Sequence, residues 1–246
     1  MMPTVTRFLT TAPVFDFARI EGRRLASPVA ILIGLIFALL GLPTVLIALA
    51  SGLGLLPLPY QLFLVLQRLP VAFPLHMIAS SLALILILIA AFTRHNGRLH
   101  RAVGRIAAIC VVVGGLTALL VAVASEASVA ARAGFFVQGL AWLALLAAAV
   151  AAIRCGDRAL HARLMIAMAC VASGAVWLRP VTAGAVALNL PFETVYAVAA
   201  WACWLIPVAI ALAVTTPLGQ PVRKAVIEYA GNVTIGRAAL PQKPTA

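Results

Sequence analysis

Hydrophobic residues along this chain form long runs, and short polar connections separate one run from the next. Six of these runs are about 20 residues or longer, which is the length that an α-helix needs to cross the hydrocarbon core of a bilayer. The pattern therefore predicts an all-α fold, a polytopic membrane helix bundle with six transmembrane helices. The predicted spans cover about residues 28–50, 73–92, 104–124, 134–153, 164–188 and 192–215.

The segments outside the predicted spans are short. We expect residues 1–27 to form a cytoplasmic N-terminal segment, residues 28–216 the transmembrane domain and residues 217–246 a cytoplasmic tail. Prolines bracket the stretch 60–69, which carries two glutamines and one arginine. Because this stretch is too short to cross the bilayer, it is predicted to lie along the membrane interface.

The composition excludes a soluble globular domain, because 64% of the 246 residues are hydrophobic, 10% are charged and the mean hydropathy is +1.13. The lipid bilayer is therefore the first predicted partner. Six spans use most of the chain, so a large catalytic module outside the membrane is not expected. The formal net charge of +12 does not indicate a nucleic-acid partner, since the basic residues lie in short connections beside apolar spans.

The distribution of lysine and arginine predicts the orientation of the bundle. With these spans, fifteen basic residues fall on one side of the membrane, and two, Arg68 and Arg132, fall on the other. Short loops rich in lysine and arginine stay in the cytoplasm, so both termini are predicted to be cytoplasmic. The remaining basic residue, Arg179, lies within the fifth predicted span.

Two histidines stand where apolar spans begin on the cytoplasmic side. His100 precedes the third span and His161 precedes the fifth, so both are predicted at the same depth. His100 continues a helical stripe of mostly small residues, which favours a position inside the bundle, and Gly104 one turn further leaves space beside the imidazole. Two imidazoles on facing helices are suitable axial ligands for the iron of haem b. Arginines available to pair with its propionates are Arg98, Arg101, Arg105 and Arg163.

The same residues have a second interpretation, because histidines and arginines at the inner ends of spans also serve as interfacial anchors. The sequence therefore leaves two classes of function open. One is a haem b electron-transfer protein that uses quinone or a soluble donor. The other is a cofactor-free structural or accessory subunit of a larger membrane complex. Transport is a third class, which is disfavoured because no span has an ionisable residue near its middle.

A second set of polar residues is predicted near the opposite, outer ends of the spans. Arg179 needs a partner in lipid, and a contact with Gln138 or Glu193 that locks two helices together is one interpretation. A pocket for a quinone or substrate headgroup is the other. His76 lies at the same end, but the fourth span offers no histidine to pair with it. The whole set is His76, Gln138, Arg179 and Glu193.

Several separated motifs follow one another along the chain. They are LHRAVGR at 99–105, His161 with Met165, Leu178 followed by Arg179, and AWACWLIP at 200–207. In this succession the chain resembles the domain-of-unknown-function family 2306, a family of bacterial predicted membrane proteins, over about residues 76–207. The resemblance implies a multi-pass protein of the bacterial inner (cytoplasmic) membrane and assigns no reaction. Residues that match motif positions of the family are His76, His100, Arg105, His161, Arg179 and Trp204.

More distantly, histidines at the inner ends of the third and fifth of six spans are similar to one of the two haem sites of the ascorbate-reducible transmembrane cytochromes b. The other site of that superfamily joins its second and fourth helices and is incomplete here, since only His76 could contribute. This similarity implies one haem b, held by His100 and His161.

Overall fold

The structure is a computed structural model that describes residues 28–215, so the predicted N-terminal segment 1–27 and the tail 217–246 lie outside the described residues. Within the described range the chain forms seven α-helices and no strand, which confirms the all-α prediction. The helices are α1 (Pro28–Gly52), α2 (Tyr60–Arg68), α3 (Ala72–Phe92), α4 (Gly97–Ala124), α5 (Val129–Arg154), α6 (Arg158–Ala187) and α7 (Phe192–Thr215).

Five of these helices, α3 to α7, are each long and apolar enough to cross a bilayer. The helix α1 has 25 residues, which at about 1.5 Å per residue gives about 37 Å. Within α1, the segment Ala38–Gly52 is apolar but shorter than the five candidate spans. The described residues therefore agree with a polytopic bundle of six spans.

The helices α4 and α6 begin earlier than the spans predicted at 104 and 164, because polar residues cap them. The Asn96 side chain accepts a hydrogen bond from the backbone N–H of Leu99 at 3.2 Å. The Asp157 carboxylate accepts one from the N–H of Leu160 at 2.8 Å. Such caps satisfy free N–H groups at a helix start, so each helix continues beyond its apolar run.

Four helices form a ring in which α3 packs against α4, α4 against α5, α5 against α6, and α6 touches α3. The helix α1 packs against α3 and α6, and α7 packs against α5 and α6. Within residues 28–215, no Cα atom of α4 lies within 8 Å of a Cα atom of α6. They lie at opposite corners of the ring, and His100 and His161, which the sequence predicted on facing helices, stand in the first turns of these two helices.

The centre of the bundle holds large side chains, and small residues allow close approach of the helices around them. Trp142, Met168, Val171 and Trp204 belong to one buried hydrophobic cluster. A Cβ atom on Gly115 of α4 would lie 2.7 Å from the Leu143 side chain of α5. Large apolar side chains such as those of Leu39, Ile109 and Ile210 are exposed, as expected for helix faces that contact lipid.

The two arginines predicted on the outer side are both bound to the C-terminal end of α4. Arg68 of α2 donates to the Ala124 carbonyl at 3.0 Å and forms an ion pair with Glu126. Arg132 of α5 donates to the carbonyls of Ala122 and Val123. Cations are favourable near the last carbonyls of a helix, so these two exceptions to the charge asymmetry have a structural role.

Candidate functional site

The first candidate residue is His100, the fourth residue of α4. Its Nδ1 atom lies 2.9 Å from the carbonyl oxygen of Ala90 in α3. A carbonyl oxygen only accepts, so Nδ1 carries the hydrogen and donates it. In a neutral ring this leaves the lone pair on Nε2. The hydrogen bond thus fixes both the tautomer and the orientation of the imidazole.

The second candidate, His161, repeats this arrangement as the fourth residue of α6. Its Nδ1 atom lies 2.9 Å from the carbonyl oxygen of Ala149 in α5. In both cases the capping residue, Asn96 or Asp157, stands four positions before the histidine. The hairpins α3–α4 and α5–α6 therefore present two equivalent imidazoles, each bound to the backbone of its own hairpin.

The environment of Gly104 differs from that of the packed glycines. A Cβ atom added to Gly104, one turn beyond His100, would meet no heavy atom within 4 Å. At Gly114 and Gly174, by contrast, such an atom would come within 2.8 Å and 2.6 Å of a neighbouring side chain. Gly104 therefore borders open space.

We call the end of the bundle that carries both histidines the basic end. Among the described residues the one ion pair is Arg68–Glu126 at the opposite end, so no arginine of the basic end is paired with a carboxylate there. The one acidic residue of the basic end within 28–215, Asp157, is engaged as a helix cap. The arginines of this end are Arg94, Arg98, Arg101, Arg105, Arg154, Arg158 and Arg163.

The arginines predicted to pair with propionates differ in their position around the helices. Each residue of an α-helix is rotated by about 100° around the helix axis relative to the one before it. Arg101 is therefore about 100° away from His100 around the axis of α4, and Arg98 and Arg105 are about 160° and 140° away. Arg98, Arg101 and Arg105 are exposed, and Arg163 is half-buried. The unpaired positive charge of the basic end therefore lies mostly on faces of α4 that point away from His100.

The outer polar residues are distributed over several helix contacts. The Nδ1 atom of His76 in α3 lies 3.0 Å from the Gly114 carbonyl oxygen of α4 and 3.3 Å from the Ser80 hydroxyl. The Gln138 amide of α5 donates to the Val171 carbonyl of α6 at 2.9 Å. Each side chain therefore ties one pair of helices together.

The two charged members of the outer set, Arg179 and Glu193, are both exposed. The ion pair found among the described residues joins Arg68 to Glu126 and includes neither of them. The predicted contact of Arg179 with Gln138 is replaced by the bond of Gln138 to the α6 backbone. The structure thus does not bring these four residues together through hydrogen bonds within residues 28–215.

One buried polar group was missed by the sequence analysis. The indole Nε1 of Trp142 is buried and has no hydrogen-bond partner among the described residues. The ring of Trp142 and the Ser80 hydroxyl both lie against Gly114, at 3.3 Å and 2.8 Å from the position of an added Cβ. Two consecutive glycines, Gly114 and Gly115, within an apolar run indicate a close contact between helices. They do not indicate which residues of the neighbouring helices form it.

Comparison with known proteins agrees with this architecture. The family model of the predicted membrane protein family DUF2306 matches residues 73–215, more than half of the chain, so the chain belongs to this family. The match covers α3 to α7 and includes all three histidines of the described helices. No curated protein and no solved structure matches the chain. The family resemblance seen in the motifs is confirmed, and its description gives a membrane location without an activity.

Proposed function

We propose that this member of the DUF2306 family is an electron-transfer protein of the bacterial inner membrane that holds one haem b between His100 and His161. The observation that carries the proposal is the matched pair of Nδ1 hydrogen bonds to the carbonyls of Ala90 and Ala149. Histidines that ligate a metal commonly donate their other ring N–H to such a carbonyl. The lone pair of each Nε2 atom is thereby left to coordinate iron.

The arrangement of the ring of helices supports a shared ligand. Helices in direct contact have axes about 8–10 Å apart, so a metal between two imidazoles requires helices that are further apart than this. The helices α4 and α6 avoid this limit because they lie at opposite corners of the ring. The open space at Gly104 is on the His100 side of the same end.

The chain's own residues have separable tasks in this proposal. Asn96 and Asp157 fix the first turns of α4 and α6, and the carbonyls of Ala90 and Ala149 hold the two rings in one orientation. The unpaired arginines of the basic end stabilise propionates and attract an anionic soluble donor. When bound, haem b supplies a one-electron carrier, and quinone is the alternative donor within the membrane.

The test is the absorption spectrum of protein purified after haem-sufficient expression, before and after reduction with dithionite. We expect a Soret band that shifts on reduction. The substitutions His100→Asn and His161→Asn should each abolish it, because the amide still has an N–H for the Ala90 or Ala149 carbonyl but cannot replace Nε2 as a ligand. His95→Asn, in the exposed loop between α3 and α4, is the matched control and should retain the band.

The hydrogen bonds that support the haem proposal also favour a second function. Each one ties the start of one helix to the neighbouring helix, which is what a cofactor-free accessory subunit of a larger membrane complex requires of its histidines. This function predicts a colourless wild-type protein with a co-purifying partner. It also predicts that the two Asn variants retain both their fold and that partner. A colourless, folded wild-type protein would overturn the haem proposal.

A further inference from the structure

A groove of about 730 Å³ lies between α4 and α5, apart from the carbonyl contacts of the two histidines. Its walls are aliphatic side chains of both helices, among them Val112 of α4 and Ala147 and Ala151 of α5. Arg154 is the one charged residue that lines it, and Cys155 lies beside it. We call this feature the α4–α5 groove.

The groove is suited to an amphiphilic molecule. Its volume is within the range of about 300–1,000 Å³ that is typical of small-molecule sites. Its wall residues Ile109 and Val112 are 64% and 41% exposed, so the groove is open to the surrounding lipid. An acyl chain is therefore able to enter from the bilayer without displacing a helix.

Positive charge marks one end of the groove. Arg154 is the last residue of α5, and its exposed side chain lies at the basic end. The helix α4 starts at this same end, and its Arg105 lies one turn before Ile109 on the same helical face. The ion pair found within residues 28–215 joins Arg68 to Glu126, so it includes neither Arg105 nor Arg154. The positive-inside rule assigns this end to the cytoplasmic headgroup layer.

We infer that the α4–α5 groove binds one anionic phospholipid, with an acyl chain between α4 and α5 and its phosphate at Arg154. Charge complementarity selects this occupant over a zwitterionic lipid, because a basic residue beside the membrane surface attracts anionic lipids. The inference concerns a lipid-facing surface and is independent of the haem proposal.

The test is native mass spectrometry of the full chain in detergent, titrated with phosphatidylglycerol or with phosphatidylcholine of the same acyl chains. We expect one phosphatidylglycerol per chain, bound more tightly than phosphatidylcholine. Arg154→Gln should weaken the binding of phosphatidylglycerol about fivefold, which corresponds to about 1 kcal/mol, and weaken that of phosphatidylcholine less, because the choline group offsets the charge of its phosphate. Arg158→Gln is the matched control, because Arg158 is also exposed but does not line the groove.

A second variant tests the position of the acyl chain. Ala147→Trp fills the groove from an exposed wall position, so it should weaken the binding of both lipids. If this variant does not fold, the comparison of Arg154→Gln with Arg158→Gln still decides the proposal. Equal binding of the two lipids, equal effects of the two arginine substitutions, or displacement of the phospholipid by a quinone would overturn it.

Discussion

The two ends of the bundle use the same hydrogen bond in different surroundings. At the basic end His100 and His161 bind carbonyls of neighbouring helices, Gly104 borders open space and the arginines are unpaired. At the opposite end His76 also binds a carbonyl, but it does so beside the closely packed Gly114. Of the three arginines at that opposite end, Arg68 and Arg132 are bound to the end of α4, and Arg179 is exposed.

The difference shows which histidines are suited to a ligand. A histidine whose surroundings are filled by packed side chains contributes to helix association. A histidine with the same bond beside open space and unpaired positive charge has a free ring nitrogen and room for an anionic, flat group. The comparison therefore supports a packing role for His76 and, at His100, the proposed ligand role.

The largest expected effect concerns the packed glycines. Gly174→Ala places a Cβ atom 2.6 Å from the Gln138 amide and 3.0 Å from Cβ of Trp204. It should lower the free energy of unfolding by about 1–3 kcal/mol, because overpacking separates α6 from its neighbours. Gly104→Ala meets nothing within 4 Å and should be neutral or slightly stabilising. Thermal melts of the two variants in one detergent measure the difference, and equal melting temperatures would contradict the contrast.

An effect of intermediate size is expected for His76. His76→Ala removes the hydrogen bond from α3 to the Gly114 carbonyl, which still accepts from the Thr117 hydroxyl of its own helix. The loss of this one bond should lower the free energy of unfolding by about 1 kcal/mol. The absorption spectrum should remain that of the wild type. Ser80→Ala is the matched control with a smaller effect, since its contact is longer at 3.3 Å. Loss of a haem band together with wild-type stability in His76→Ala would reverse the assignment of the two ends.

The hydrophobic pattern could predict the helices, because a span needs only length and apolarity. The distribution of arginine could likewise predict an end rich in positive charge. Partners are different: the carbonyls of Ala90, Ala149 and Val171 that accept from His100, His161 and Gln138 carry no sequence signal, since every residue has one.

Two further features show where local sequence signals were sufficient and where they were not. Asn96 and Asp157 are typical helix caps, so the early starts of α4 and α6 could have been predicted from them. The placement of α4 and α6 at opposite corners of the ring could not, because it depends on how all the helices pack together.

The smallest expected effect is at the end of α4. Arg68→Gln removes a cation from the Ala124 carbonyl and from Glu126, at an exposed site where such contacts contribute about 0.3–1 kcal/mol. Arg94→Gln, in the exposed loop of the basic end, should change the stability less. Melting curves at low and high salt provide the measurement, and the difference between the two variants should shrink as salt rises. A larger loss in Arg94→Gln would count against the structural role of Arg68.

The content of haem b per polypeptide tests the central claim most directly. It is measured by pyridine haemochrome analysis of the purified, folded protein after expression with sufficient haem. The account predicts about one haem b per chain for the wild type and for His76→Ala, and almost none for His100→Asn or His161→Asn. A folded wild-type protein without haem b, or the same haem content in all four proteins, would contradict it.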